Sequence, residues 1–167
     1  MVIAKEGFQD DEFKFPKGII EDAGFLVDVS STEKGECKGK FGSKVVADLD
    51  FDEVETSDYV AVVLVGGPGS KELVGNRSLE RILNEATVRD LLIGAICFSP
   101  VILAKAGIIN GRKATVFDVD GSNINVINED GVYVDEDVVV DGKLVTANGP
   151  KAAKEFGEKL VGFLDGN

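Results

Sequence analysis

Apolar and polar positions alternate along this chain in two distinct rhythms. Tyr59 to Val65 is an unbroken apolar run, the pattern of a central parallel strand buried on both faces. Leu91 to Ile96 is a second such run. Phe25 to Ser30 alternates with period two, as a strand with one covered face would. Helical spacing appears at Phe15, Ile19, Ile20 and Ala23 within Glu12 to Ala23, which Gly24 ends. It returns at Leu79, Ile82, Leu83 and Ala86, with Ser78 as the expected cap, in the helix after Pro100 that Gly107 closes, and in Lys151 to Leu164.

Weaker signals fill the gaps. Met1 to Ala4 reads as a clipped first strand, and Glu6 to Glu12 as an acidic loop. Thr32 to Ser43 reads as a loop or exposed hairpin, which makes Cys37 a solvent-accessible bystander. Val45 to Ala47 and Ala114 to Phe117 are short strands, and Asp50 to Val54 is a helical turn. Asp118 to Asp130 is Asn-rich and reads as a loop. Asp141-Gly142 between two apolar segments signals a hairpin. Strands thus alternate with helices, which predicts an α/β fold with a mainly parallel sheet and helices on both faces. Ligands in such folds sit beyond the carboxyl ends of the central strands.

Two such ends carry candidate chemistry. Val65 runs into Gly66-Gly67-Pro68-Gly69-Ser70, where bare backbone N–H groups can meet a ligand. Ile96 runs into Cys97, followed by a helix that starts near Pro100. A residue between a buried strand and the next helix is pushed out at the sheet edge. The small neighbours Ala95 and Ser99 suit so tight a turn, and a helix N-terminus favours a thiolate. A strand-end cysteine that only fills the core is the competing reading.

Composition narrows the chemistry. The chain has 167 residues and a net charge of −12, so it repels nucleic acid and anionic membrane surfaces. One domain over residues 1–167 is expected, since that length supports a single core. No apolar run approaches the ~18 residues of a membrane span, and Lys5 and Glu6 interrupt any leader, so a cytoplasmic setting is expected. Two cysteines in unlike contexts do not make a disulfide framework. The chain contains no histidine, which removes every Ser-His or Cys-His pair. The acidic run Asp48 to Glu53 lacks the spacing of a calcium loop, and no Gly-Lys-Ser/Thr follows Gly66-Gly67 to make a phosphate loop.

Taken together, Glu6 to Glu12, Val63-Leu64-Val65-Gly66-Gly67, Ala95-Ile96-Cys97 with Pro100, Ala106 to Thr115 and the hairpin Val138 to Thr146 resemble the ThiJ/PfpI superfamily over nearly the whole chain. The resemblance implies a three-layer α/β/α sandwich of flavodoxin-like type, assembled as a homodimer or larger homo-oligomer. It implies that Cys97 is the nucleophile, that Glu12 hydrogen-bonds its sulfur, and that the N–H groups of Gly67 and Phe98 form an oxyanion hole, with Gly66 and Asn148 in the pocket. No cofactor is expected, and without histidine no metal site is expected either.

Two departures bear on activity. Phe98 stands where PfpI-type members carry a histidine, so a Cys-His peptidase mechanism has no base. Asn148 stands where an arginine commonly precedes Gly-Pro. The pattern is closer to the DJ-one branch. The expected function is cysteine-dependent chemistry on small reactive carbonyl compounds or glycated groups, of glyoxalase or deglycase kind, or a redox response at the same sulfur. A protonated Glu12 is expected to lower the Cys97 pKa. A non-catalytic binding or chaperone-like protein is the alternative, and a peptidase is disfavoured.

Overall fold

In the computed structural model, residues 1–166 are described. Among them five α-helices and eleven strands follow in order: β1 (Glu6–Phe8), α1 (Asp10–Asp22), β2 (Ser30–Ser31), β3 (Gly35–Gly39), β4 (Lys44–Ala47), β5 (Leu49–Asp50), β6 (Ala61–Leu64), α2 (Arg77–Val88), β7 (Leu92–Ile96), α3 (Ser99–Lys105), β8 (Lys113–Ala114), α4 (Ser122–Asp130), β9 (Val132–Tyr133), β10 (Val138–Asp141), β11 (Leu144–Ala147) and α5 (Ala153–Leu164).

The main sheet has the order β10-β11-β7-β6, parallel except for the β10–β11 hairpin. It is extended beyond β6 by bridges from Val2 to Leu64 and to Ser30, and then by β2 and β5. Strand period two sorts its side chains onto two faces. Val62, Leu64, Ile93 and Ala95 pack with α2 and α3 in one cluster. Val63, Leu92, Ile96 and Val145 pack with Ile20 of α1 and with Phe156 and Leu160 of α5 in the other. The result is the expected α/β/α sandwich. On the second face, α1 and α5 lie close: a Cβ on Gly157 would stand 3.0 Å from the Pro16 Cα.

Several elements differ from the sequence expectation. Glu6–Phe8 is a strand rather than a loop, because it pairs with β3 in parallel. Helix α1 begins at Asp10, where the Gln9 side chain caps it by accepting the Glu12 N–H at 2.9 Å. Of Phe25 to Ser30 only Ser30 enters a ladder; Leu26 is 97% exposed, since alternation without a partner strand makes no sheet. The hairpin alternative for Thr32 to Ser43 holds: β3 and β4 pair antiparallel, and this buries Cys37 completely rather than leaving it accessible.

Asn76, not Ser78, caps α2. Asp118 to Asp130 is no simple loop. The Asp118 carboxylate accepts the N–H groups of Gly121, Asn123 and Ile124, and these bonds start α4, whose Ile127 is fully buried.

Candidate active site

The register of the two central strands builds the site. Leu64 of β6 pairs with Ala95 of β7, so both strands end at the same level. Gly66-Gly67 therefore lies beside Cys97. Cys97 has φ +64°, a left-handed conformation that costs a non-glycine residue on the order of 1 kcal/mol. Its backbone is held from both sides, with its N–H on the Ala147 carbonyl at 2.8 Å and its carbonyl on the Phe117 N–H at 2.9 Å. The Ser99 hydroxyl ties the start of α3 to the Val65 carbonyl at 2.9 Å.

Glu12 projects from the first turn of α1 and is fully buried. Its Oε2 accepts the Gly66 N–H at 3.1 Å. Its Oε1 has no partner, and the neighbour left for the carboxyl is the Cys97 sulfur. Gly66 makes this contact possible: a Cβ there would lie 2.4 Å from the Cys97 Cβ and 2.6 Å from Glu12 Oε2. Gly67 has φ +110°, and a Cβ on it would strike the Gln9 N at 2.5 Å. The Ser70 hydroxyl fixes this loop through the Gly67 carbonyl at 2.6 Å.

The electrostatics follow from burial. Desolvation raises the Glu12 carboxyl from 4.5 to about 7, against the pull of the neighbouring Cys97 thiol and the Gly66 N–H. Desolvation, with the Glu12 charge second, pushes the Cys97 thiol up to about 12, while the N–H groups of Gly67 and Phe98 pull it down. This is opposite to the expected depression. The Glu12 charge opposes a thiolate only while Glu12 is ionised. The two groups therefore titrate as a pair, and over a wide range above neutrality the pair carries one proton.

Cys97 opens onto a cleft of 410 Å³ lined by Gln9, Glu12, Gly67, Phe98, Lys40, Phe41, Lys71, Phe117 and Asp120 among others. Of the residues singled out in the sequence, Cys97, Glu12, Gly66, Gly67 and Phe98 come together here. Phe98 is half-buried at the cleft wall, with the Lys71 ammonium 5.7 Å from its ring centre. Asn148 does not join them. Its amide donates to Asp137 at 2.9 Å, and it lines a neighbouring depression with Tyr133.

Lys40, Phe41 and Lys71 escaped the sequence reading. The first two sit in the β3–β4 turn, held over α1 because the Asp10 carboxylate accepts the N–H groups of Phe41 at 2.9 Å and Ser43 at 3.0 Å. Among the described residues no group of three His, Cys, Asp or Glu side chains could hold a metal, and no helix is long and apolar enough to cross a membrane.

Comparison with known proteins now bears on this geometry. The model of the DJ-1/PfpI family matches residues 1–162. The chain belongs to the DJ-1/PfpI family. An uncharacterized protein of Methanocaldococcus jannaschii is 41% identical over 168 residues, covering 100% of this chain and 82% of the relative. The deglycase PfpI of Pyrococcus furiosus is 33% identical, covering 90% and 89%. The crystal structure of a ThiJ/PfpI domain protein from Brachyspira murdochii superposes with a TM-score of 0.94 at 34% identity, covering 99% of this chain and 95% of the other. The structure of Drosophila melanogaster DJ-1beta does so with a TM-score of 0.89 at 30% identity, covering 99% and 89%.

Proposed function

We propose that this protein is a cysteine-dependent enzyme for small reactive carbonyl compounds or the adducts they form, of glyoxalase or deglycase kind. The observation that carries the reading is the buried Glu12 carboxyl beside Cys97, with one oxygen unpartnered, at the inner end of an open cleft. The names of similar proteins support it, since relatives from Pyrococcus furiosus and Thermococcus kodakarensis are called deglycases.

The steps follow from the proton shared by the pair. As the Cys97 sulfur attacks an aldehyde carbon, its proton passes to Glu12, whose pKa near 7 suits a base at neutral pH. An S–C bond forms, and the carbonyl electron pair moves to oxygen near the N–H groups of Gly67 and Phe98. Glu12 returns a proton to that oxygen, giving a hemithioacetal. With an α-oxoaldehyde, Glu12 then moves the hemithioacetal C–H proton to the adjacent carbonyl carbon, while the hydroxyl proton passes to the oxygen of that carbonyl, which becomes the 2-hydroxyl. Water hydrolyses the resulting thioester to a 2-hydroxy acid and free Cys97.

The test is incubation with methylglyoxal, following 2-hydroxy acid by NMR and Cys97 adducts by peptide mass. Product formation that Cys97→Ser abolishes is expected. Absence of both product and adduct overturns the reading and favours the binding or chaperone-like alternative. The limited access to the sulfur favours that alternative too, since Cys97 is only 8% exposed. The reading also includes assembly into a homodimer or larger homo-oligomer, which sedimentation of the purified chain tests. A peptidase stays disfavoured, because no histidine exists to serve as its base.

A further inference from the structure

The cleft carries charge beyond the Cys97–Glu12 pair, and one of its cations, Lys40, also acts on the Glu12 carboxyl. Lys40 and Lys71 both line it, one from the β3–β4 turn and the other from the turn after Gly67. Among the described residues neither forms an ion pair, so both ammonium groups are left to meet a ligand in the cleft. Two acidic groups share the cleft with them. Glu12 is buried beneath it, and Asp120 at its rim accepts the Ser122 N–H at 3.0 Å. Phe41, Phe98 and Phe117 supply apolar walls between the ammonium groups, and Lys40 and Lys71 stand 5.1 and 5.7 Å from the ring centres of Phe41 and Phe98.

A chain of net charge −12 repels anions over most of its surface. Cations without an ion-pair partner in its cysteine cleft offset that locally. A ligand with a carbonyl at the sulfur, a flat apolar body and a carboxylate satisfies all three kinds of lining group. Ammonium groups bind a carboxylate as point charges and require no fixed fork geometry.

We propose that Lys40 and Lys71 make this cleft selective for carbonyl compounds that bear a carboxylate over neutral ones. The proposal rests on Cys97 being the reacting group, so its test reads the sulfur directly as well as through turnover.

The direct arm compares alkylation of Cys97 by iodoacetate and by iodoacetamide, followed by peptide mass. In each case an S–C bond forms, iodide leaves, and the thiol proton is released. Because both reagents meet the same sulfur, their rate ratio cancels its pKa and reports only the charge the reagent meets. At low salt the iodoacetate-to-iodoacetamide ratio at Cys97 is expected to exceed that of the neutral thiol N-acetylcysteinamide by about fivefold or more. It is expected to collapse in the Lys40→Ala/Lys71→Ala double variant and to stay high in Lys154→Ala, a charge control whose ammonium sits over Phe15 instead.

A ratio no higher than that of the free thiol overturns the proposal. So does a high ratio that survives the double substitution, or a Cys97 that neither reagent labels. The turnover arm compares 4-carboxyphenylglyoxal with phenylglyoxal, and a higher kcat/KM for the carboxylated compound is expected. If neither turns over while the alkylation ratio still depends on the lysines, the enzyme reading fails and the charge selection stands.

Discussion

Cys37 and Cys97 are both buried, and they differ in everything else that matters. Cys37 sits in the middle of β3, its side chain alone pointing inward from the strand and its sulfur 3.6 Å from the Gly35 carbonyl. Its neighbours there are Phe8, Phe13 and Val29. Cys97 sits one residue past the end of β7, in a left-handed conformation, with a carboxyl on one side and a cleft on the other. Burial alone therefore does not separate a structural thiol from a chemical one. Position relative to the strand end does, because only there can a side chain leave the sheet and meet donors from a neighbouring loop.

The sharpest way to break this contrast is substitution of each cysteine. Cys97→Ser is expected to lower carbonyl turnover by about 10³-fold or more, while Cys37→Ser leaves it nearly intact; equal losses in a methylglyoxal assay end the distinction.

The next effect concerns Glu12, the group only Cys97 possesses. The folded chain holds the Glu12 proton up to about pH 7, whereas an unfolded chain releases it near 4.5. The stability this confers is complete below the unfolded value and is lost as pH rises through the folded one. Glu12→Gln removes the penalty, so the variant is expected to be roughly 3 kcal/mol more stable than the parent at pH 8 and about equal at pH 4. Urea unfolding at the two pH values checks this. The same variant is expected to lose the rise in activity near pH 7.

Gly66→Ala comes third. Its new methyl must displace Cys97 or Glu12, which costs about 2 kcal/mol and most of the activity. Smallest is Cys37→Ala, expected to cost on the order of 1 kcal/mol in thermal unfolding, with kcat unchanged.

How much of this was legible in the chain depended on where the stabilising partner lay. The central strands were readable because both faces are covered, so Val62 to Val65 and Leu92 to Ile96 are apolar throughout. The Asp141-Gly142 turn carried its own signal, and Gly142 has φ +58°. Cys37 was misread because Glu36 and Lys38 beside it are polar; in a strand those two residues point outward, which is what leaves Cys37 inside.

Helix α4 was hidden by its asparagines, although Ile124 and Ile127 had helical spacing and Asp118 stood where a cap could form. At the site, Cys97, Glu12 and Gly67 were found through the family resemblance and the strand-end pattern. Lys40, Phe41 and Lys71 left no local signal. They reach the cleft only because Asp10 fastens a distant hairpin turn to α1 and because Gly67 turns the chain back.

The backbone around Cys97 has a consequence for descent. The Ala147 carbonyl, the Phe117 N–H and the Ser99 hydroxyl hold that segment without any help from the sulfur. A single codon change can therefore remove the nucleophile and leave the scaffold, the cleft and its rim standing. A copy that binds without reacting is thus a single mutational step from an active one. The fold itself offers selection little resistance to the change in either direction.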